Sequence, residues 1–505
     1  MKKGAEKYKA AATDDYSGAL PGKLLEENIA FFNGIFKKDS VLRQKKIIVH
    51  GVYNYECALF YMDGMVDSEL ITESIVKPLL LVQNERTEGS FADYIKNQVL
   101  FASETKSTEN VADMLRAVLY GDTLLLIDGC LTAITINTKG WRTRGISEPS
   151  DERILQGPRE GFDEAALLNV AMIRRKLLTP DLCTEMVRIG RRSDTIVFIC
   201  YLDSLADGAM VAELKRRLSK INIDGILDTN YIAELIRDKP RSLFKTSGTT
   251  ERPDIVAARL LEGRIALIAD GTPVVLTFPY LFSENFQSDE DYYLNYAIAT
   301  VGRVLRYICF FLSVSIPAVF IAAATYHKEL LPTSLALTVT QLRGGVPFPA
   351  FAECILLIFV FEILKETGVR MPQSLGHALS IVGGLVVGQA AVEARIISAP
   401  MLIIVALAGI SGLMIPRLKG AVFYFRIIFV CLSALFGLYG YIAGFTLMLI
   451  HILQLSSLGV SSTASLNSAD KRSLKDTFWR APWKNMHTRP IFCRNSVRME
   501  NKKSD

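Results

Sequence analysis

Little in this sequence points to catalysis. Its five histidines lie far apart, and its eight cysteines are scattered with no CxxC pair. Zinc-site and thiol-redox spacings are therefore absent. There is no GxxxxGK[ST], no HExxH and no GxSxG, which removes the phosphate cradle, the zinc-protease helix and the nucleophile elbow. The amino end, MKKGAEKYKAAATDDYSG, has no apolar core and does not read as a secretory signal peptide. Without export, a disulfide framework is not expected. A net charge of +5 is too small to imply a nucleic-acid partner. The residues predict no catalytic, cofactor or metal site, and a chain that is not an enzyme.

What is present is segregated. Mean hydropathy is +0.26, yet 22% of residues are charged; a uniformly soluble enzyme rarely shows both. Residues 1–23 read as a flexible lead-in, broken at Pro21-Gly22. Residues 24–292 mix charge and apolar side chains as globular domains do. Residues 293–460 are dominated by apolar side chains, and 461–505 form a polar, basic tail. The expected fold is a soluble α/β part of two subdomains, 24–150 and 151–292, followed by a polytopic α-helical membrane domain and a basic cytoplasmic tail.

Two hairpin signals carry the subdomain reading. TLLLI and LTAITI flank Asp128-Gly129, and RIALIA and PVVLTF flank Asp270-Gly271. An Asp-Gly between apolar runs predicts a type I′ turn, which needs positive φ. A glycine precedes each hairpin, Gly121 and Gly263. KKIIVHGV, ECALFYM and DTIVFICYL read as strands, and GAMVAELKRRLSKI as an amphipathic helix. Two loops set an arginine beside a carboxylate: Arg159-Glu160 in GPREG and Glu251-Arg252 in TERPD. Both are candidates for docking a partner, against the plainer reading of structural loop pairs.

A bilayer core takes about 20 mainly apolar residues per helix. The segments 304–326, 348–364, 378–392 and 399–415 qualify. Residues 421–455 are too long for one crossing and are expected to fold back near 437–440, giving about five or six helices. Basic clusters at Arg303/Arg306, Arg417–Lys419 and the tail place both ends in the cytoplasm. Ionisable residues at this depth, Glu353, Glu362, Glu393, Arg395 and Arg426, are costly unless paired or wetted. They are the candidates for an ion path or for intramembrane pairs. Glu353 is expected to line water or to pair, for instance with Arg395 or Arg426. Gly384 with Gly388, and Gly440 with Gly444, are spaced for close helix packing. In the tail, Phe478, Trp479 and Trp483 alternate with Lys475, Arg480 and Lys484, a pattern suited to lying on membrane lipid.

Several long stretches, in order and spacing, resemble a known family. GPREGF (157–162), TERPD (250–254), LEGRIALIADGTPVVL (261–276) and SENFQSDEDYY (283–293) resemble the soluble part of the A subunits of GerA-type spore germinant receptors. PFPAFAE (347–353), RMPQSLGHALSIVGGLVVGQAAVEARIISAPM (370–401) and KDTFWRAPWKNMHTRP (475–490) resemble their membrane part and tail. The family often has Phe-Pro-Gln before TERPD, where Phe244-Lys245-Thr246 stands here. The resemblance implies a multi-pass protein of the spore inner membrane. It implies a homo-oligomer forming an ion-conducting path, with a transporter-like B subunit and a lipoprotein C subunit as partners. A solute transporter or permease subunit is the alternative, and would predict an inverted repeat among the helices.

Overall fold

The computed structural model describes residues 13–16, 19, 21–50, 54–82, 91–141, 149, 152, 156–370, 386, 388–467, 475–495 and 497–498. Its soluble part is built on two five-stranded antiparallel sheets. The first contains β1 (Leu42–Val49), β2 (Tyr55–Met62), β3 (Thr105–Thr108), β4 (Thr123–Ile127) and β5 (Ala133–Ile136). The second contains β6 (Leu182–Ile189), β7 (Thr195–Leu202), β8 (Gly248–Thr250), β9 (Ile265–Ala269) and β10 (Val275–Phe278). Their spatial orders are β1-β2-β4-β5-β3 and β6-β7-β9-β10-β8. These are the same path traced twice.

The repeat extends to single hydrogen bonds. Asp128 accepts from Leu25 N at 2.9 Å, and Asp270 accepts from Ala166 N at 3.0 Å. Leu25 and Ala166 are the first residues of the helices Leu25–Ile35 and Ala166–Lys176. In the first turn of each helix an asparagine clamps the chain that leads into it: Asn28 with Gly22, and Asn169 with Asp163. Each Asp-Gly therefore caps the helix that opens its own unit, supplying an acceptor to a backbone N–H that the helix leaves unpaired. The tight two-residue turn expected there is not formed. β4 ends at Ile127 and β5 begins at Ala133, and at the turn glycine alone takes the left-handed conformation, at φ 78° for Gly129 and 89° for Gly271. A type I′ turn requires it of both residues.

Strands β4 and β9 are buried along their whole length. Leu124 and Leu126 face one core while Leu125 and Ile127 face another. Ala266 and Ile268 are divided likewise from Ile265 and Leu267. Burial on both faces explains why these strands read as continuous apolar runs rather than alternating ones. The two units meet at a buried pair, Arg174 with Asp39, where Ser40 N also donates to Thr184 O at 2.8 Å.

The helical part follows. Tyr296–Thr325 leads, then Thr333–Arg343, Ala350–Arg370, Ala399–Leu413 and Lys419–Leu453. Two of these stretches, Tyr296–Thr325 and Pro416–Leu453, are long and apolar enough to cross a membrane. The second is a helical hairpin, broken at Gly437 with φ 60° and ψ −141°. Phe429 lies 5.8 Å from Tyr441 and 6.4 Å from Phe445, ring to ring; in one unbroken helix, residues 16 apart would be about 24 Å apart. Most of the 378–392 segment lies outside the described residues.

The soluble and helical parts share one core. Phe244, Phe282 and Phe286 enter the cluster formed by Phe310, Met401 and Phe429. The tail does not lie apart from the rest of the chain. Residues 475–495 run back across the second unit, where Phe492 packs on the core and Arg494 N donates to Leu205 O at 3.0 Å. Trp483 stands 6.4 Å from Tyr292, and Arg480 lies over both rings. Phe478 likewise stands 4.9 Å from Tyr307, ring to ring, while Phe478, Trp479 and Trp483 each keep 40–48% of their surface exposed.

Candidate functional site

Two groups of buried charge organise the helical part, one at its base and one inside it. At the base, Arg303 is fully buried. Its Nε donates to Asp291 Oδ2 at 2.8 Å, and its Nη1 donates to Asp476 Oδ1 at 2.6 Å and to the Asp476 carbonyl at 3.1 Å. Arg306 donates to Asp291 Oδ1 at 2.9 Å and to Phe286 O at 2.8 Å. Tyr292 OH donates to Asp476 Oδ2 at 2.7 Å. Arg417 reaches Glu284 O at 3.1 Å and Asp289 at 3.3 Å. A collar drawn from the end of the soluble part, the loop before the hairpin and the tail thus grips the foot of the first long helix. That helix has 30 residues, about 45 Å at 1.5 Å each. A hydrocarbon core of about 30 Å would leave its first turns, with Arg303, outside. Burial alone would raise the Asp291 carboxyl, but hydrogen bonds from Arg306 and Arg303 outweigh it and hold the group below its ordinary value.

Inside the helical part, Glu353 is fully buried and satisfied. Its Oε2 accepts from Ser398 N at 3.0 Å and Ser398 Oγ at 2.7 Å, and Arg343 Nη2 approaches Oε1 at 3.3 Å. Ser398 is the N-cap of Ala399–Leu413, so the carboxylate sits where a helix leaves its N–H groups unpaired. Of the two alternatives for Glu353 the structure shows the paired one, with Arg343 and Ser398 as partners in place of Arg395 or Arg426. Arg426 is buried, and among the described residues no carboxylate is within ion-pair distance of it. It donates to Ser313 O at 2.7 Å, Ser313 Oγ at 2.5 Å and Ala408 O at 3.0 Å. One guanidinium thereby pins three helices by their backbones.

The remaining candidates separate. Glu362 pairs with Lys365 at 3.5 Å, one turn along its own helix. Glu393 and Arg395 are exposed, with Arg395 at φ 52° and against Gly345. Gly440 and Gly444 lie inside the hairpin, where an added Cβ would stand 2.1 Å from Leu432 O and 2.7 Å from Leu432 Cδ1 respectively. Gly388 has only ordinary contacts with Leu402, from 3.6 Å; Gly384 lies outside the described residues.

In the soluble part the two polar loops come together, Phe162 N donating to Glu251 O at 2.8 Å. Arg252 is fully buried and bonded to Asp254 at 2.7 Å and 3.2 Å, so in this chain it holds its own loop. Glu160 pairs with Lys176 at 2.8 Å. Arg159 is exposed and Glu251 half-buried. Beside these loops, a cavity of about 500 Å³ lies between the Pro253–Leu261 helix, the collar and the tail, walled by Ile255, Ala258, Leu281, Trp483 and Phe492. Among the described residues, no three of His, Cys, Asp or Glu gather as a metal ion would require.

Reasoning from sequence missed Ser313, Arg343, Ser398, Asp291 and Asp476. Asp476 carried a signal, as an acid in the basic stretch just before the aromatic motif. The serines carried none, because a small polar residue in an apolar run is common and its partner is remote in sequence.

The model of the Bacillus/Clostridium GerA spore germination protein family matches residues 30–492. Spore germination protein KA of Bacillus subtilis (strain 168) is 40% identical over 449 residues, covering 88% of this chain and 82% of that protein. Spore germination protein GerLA of Bacillus cereus is 34% identical over 439 residues, covering 86% and 89%. The crystal structure of the N-terminal domain of the A subunit of the Bacillus megaterium spore germinant receptor GerK3 is 30% identical, covering 52% of this chain and 98% of that one, with a TM-score of 0.42. With a match spanning the collar, the helical part and most of the tail, the chain belongs to the GerA family of spore germination proteins.

Proposed function

We propose that this chain is the membrane subunit of a nutrient germinant receptor of the spore inner membrane. Several copies form an ion-conducting path, gated together with a transporter-like B subunit and a lipoprotein C subunit. The soluble part and the tail face the cytoplasm. The observation that carries this reading is the Thr333–Arg343 helix. It lies within the helical part, between Pro332 and Gly344-Gly345, yet Val339 is its one buried residue. Ser334, Thr338 and Gln341 fall on one face at helical spacing, and Leu335, Val339 and Leu342 on another. A single copy leaves the polar face uncovered, which in a bilayer requires a partner or water. Around an axis, hydroxyl and amide groups would line a wet path. The Glu353–Arg343 pair would anchor this segment rather than touch the ion.

Reconstitution of the purified receptor complex in liposomes tests this. Nutrient should release trapped cations, and Ser334→Leu with Gln341→Leu should slow release severalfold while the subunit stays assembled. Unchanged release would remove this helix from the path.

A further inference from the structure

The soluble part presents an apolar surface at the level where the hairpin helices end. The short helix Thr229–Leu235 packs Ile232 and Ala233 into the core of the second unit. Its other side carries Tyr231 and Leu235, 41% and 53% exposed and one helical turn apart. Leu227, 73% exposed, precedes the helix, on the far side of its extended cap Asp228. Beyond the helix the chain is fastened to the end of the hairpin. Ser456 Oγ donates to Asp238 Oδ2 at 2.7 Å, Lys239 Nζ lies 3.4 Å from Gln454 Oε1, and Ser242 Oγ is 3.0 Å from His451 Nε2. Phe244 then stacks on Phe425 at 5.4 Å, near the start of the hairpin. Between these anchors Leu243 is 44% exposed, Arg241 is exposed and Lys239 half-exposed.

We propose that Leu227, Tyr231, Leu235 and Leu243 form an in-plane membrane contact, dipping into the headgroup region of an anionic leaflet with Arg241 and Lys239 on the lipid phosphates. The placement favours lipid over a protein partner. Segment 238–244 is bonded to both ends of a helical hairpin, so its exposed apolar side chains lie where spanning helices leave the hydrocarbon. Apolar side chains rimmed by Lys and Arg suit such an interface, since the long basic side chains reach the headgroups while the apolar ones are buried. Negative surface potential adds attraction for each cation close to the leaflet. Exposed Glu234 opposes it. The contact would make the soluble part report on the membrane as well as on the collar.

The proposal rests on the membrane reading of the helical part, and the test separates the two. In the full chain, Cys130 and Cys431, the two cysteines that are not buried, are replaced by serine. Single cysteines are introduced as Tyr231→Cys, Leu227→Cys, Leu447→Cys in the hairpin and Leu81→Cys on the first unit, and labelled with bimane. The protein is reconstituted in phosphatidylcholine vesicles containing one-quarter phosphatidylglycerol, with and without brominated acyl chains. Brominated lipid should quench the labels at 231 and 227 by about twofold or more and shield them from iodide; Arg241→Glu with Lys239→Glu should relieve the quenching. Label 81 should respond to iodide alone. Iodide quenching at both 231 and 227, without lipid quenching, overturns the proposal. Protection from both quenchers also overturns it, because the surface is then covered by protein. Loss of lipid quenching at 447 as well would overturn the membrane reading itself.

Discussion

Arg303→Leu will cost the protein about 3–5 kcal/mol, the range for removing one partner of a buried ion pair. The guanidinium is fully buried and bridges Asp291 to Asp476, so its removal leaves Asp291 to Arg306 and Asp476 to the Tyr292 hydroxyl, each short of a buried charged partner. Arg303→Lys will not restore the loss, because one ammonium cannot reproduce a planar fork that reaches two acids and a carbonyl. Chemical denaturation of the solubilised chain measures this. A loss under about 1 kcal/mol would match an exposed pair and would show the collar to be solvated. The same node sets an acid limit. Asp291 sits below its ordinary value in the folded chain. The stability it contributes is therefore present above the unfolded carboxylate pKa of about 4 and is lost as pH falls through the lower folded value. Asp291→Asn should flatten that acid loss while lowering stability at neutral pH.

Gly440→Ala will prevent the hairpin from closing, whereas Gly388→Ala will leave the protein almost unchanged. Both glycines stand in the same small-x-x-x-small pattern, but their surroundings differ. A Cβ at 440 would lie 2.1 Å from a backbone oxygen, that of Leu432, and backbone cannot swing aside as a side-chain tip can. At 388 the nearest atoms are Leu402 methyls at 3.6 and 3.9 Å, ordinary contact. Loss at 440 should exceed the 1–3 kcal/mol typical of overpacking and appear as loss of detergent-stable protein. The change at 388 should stay within about 0.5 kcal/mol. Equal behaviour of the two variants would mean that the hairpin does not pack at Gly440.

Much of the architecture could be read from the sequence because its signals are local. The apolar runs of β4 and β9, the two Asp-Gly pairs and the glycine at the hairpin bend each report on their own neighbourhood. Asp128 and Asp270 also show the limit of such reading. Their dipeptide announced two equivalent hairpins, but their work is to cap helices about 100 residues earlier, and nothing near them says so. Glu353 marks the same boundary. Its cost at membrane depth was evident from its apolar neighbours, whereas its solution, the N-cap of a helix 45 residues on, depends on tertiary placement. The tail shows a related limit: Trp, Phe, Arg and Lys suit a lipid surface and a protein groove equally. Family resemblance supplied the biological setting, which periodicity and spacing do not encode.

If the polar face of Thr333–Arg343 lines the ion path, a charged thiol reagent reacting with a cysteine on that face will block flux. Thr338 is exposed on that face, its hydroxyl turned back to Ser334 O at 2.8 Å. Thr338→Cys, in the Cys130→Ser, Cys431→Ser background, would be assembled with its partners in liposomes and treated with a charged, membrane-impermeant thiol reagent during nutrient-triggered cation release. Release should stop when the cysteine is modified, reaction should be faster with nutrient present, and the background without the new cysteine should be unaffected. Full modification of residue 338 with cation release continuing at its original rate would contradict this role for the helix.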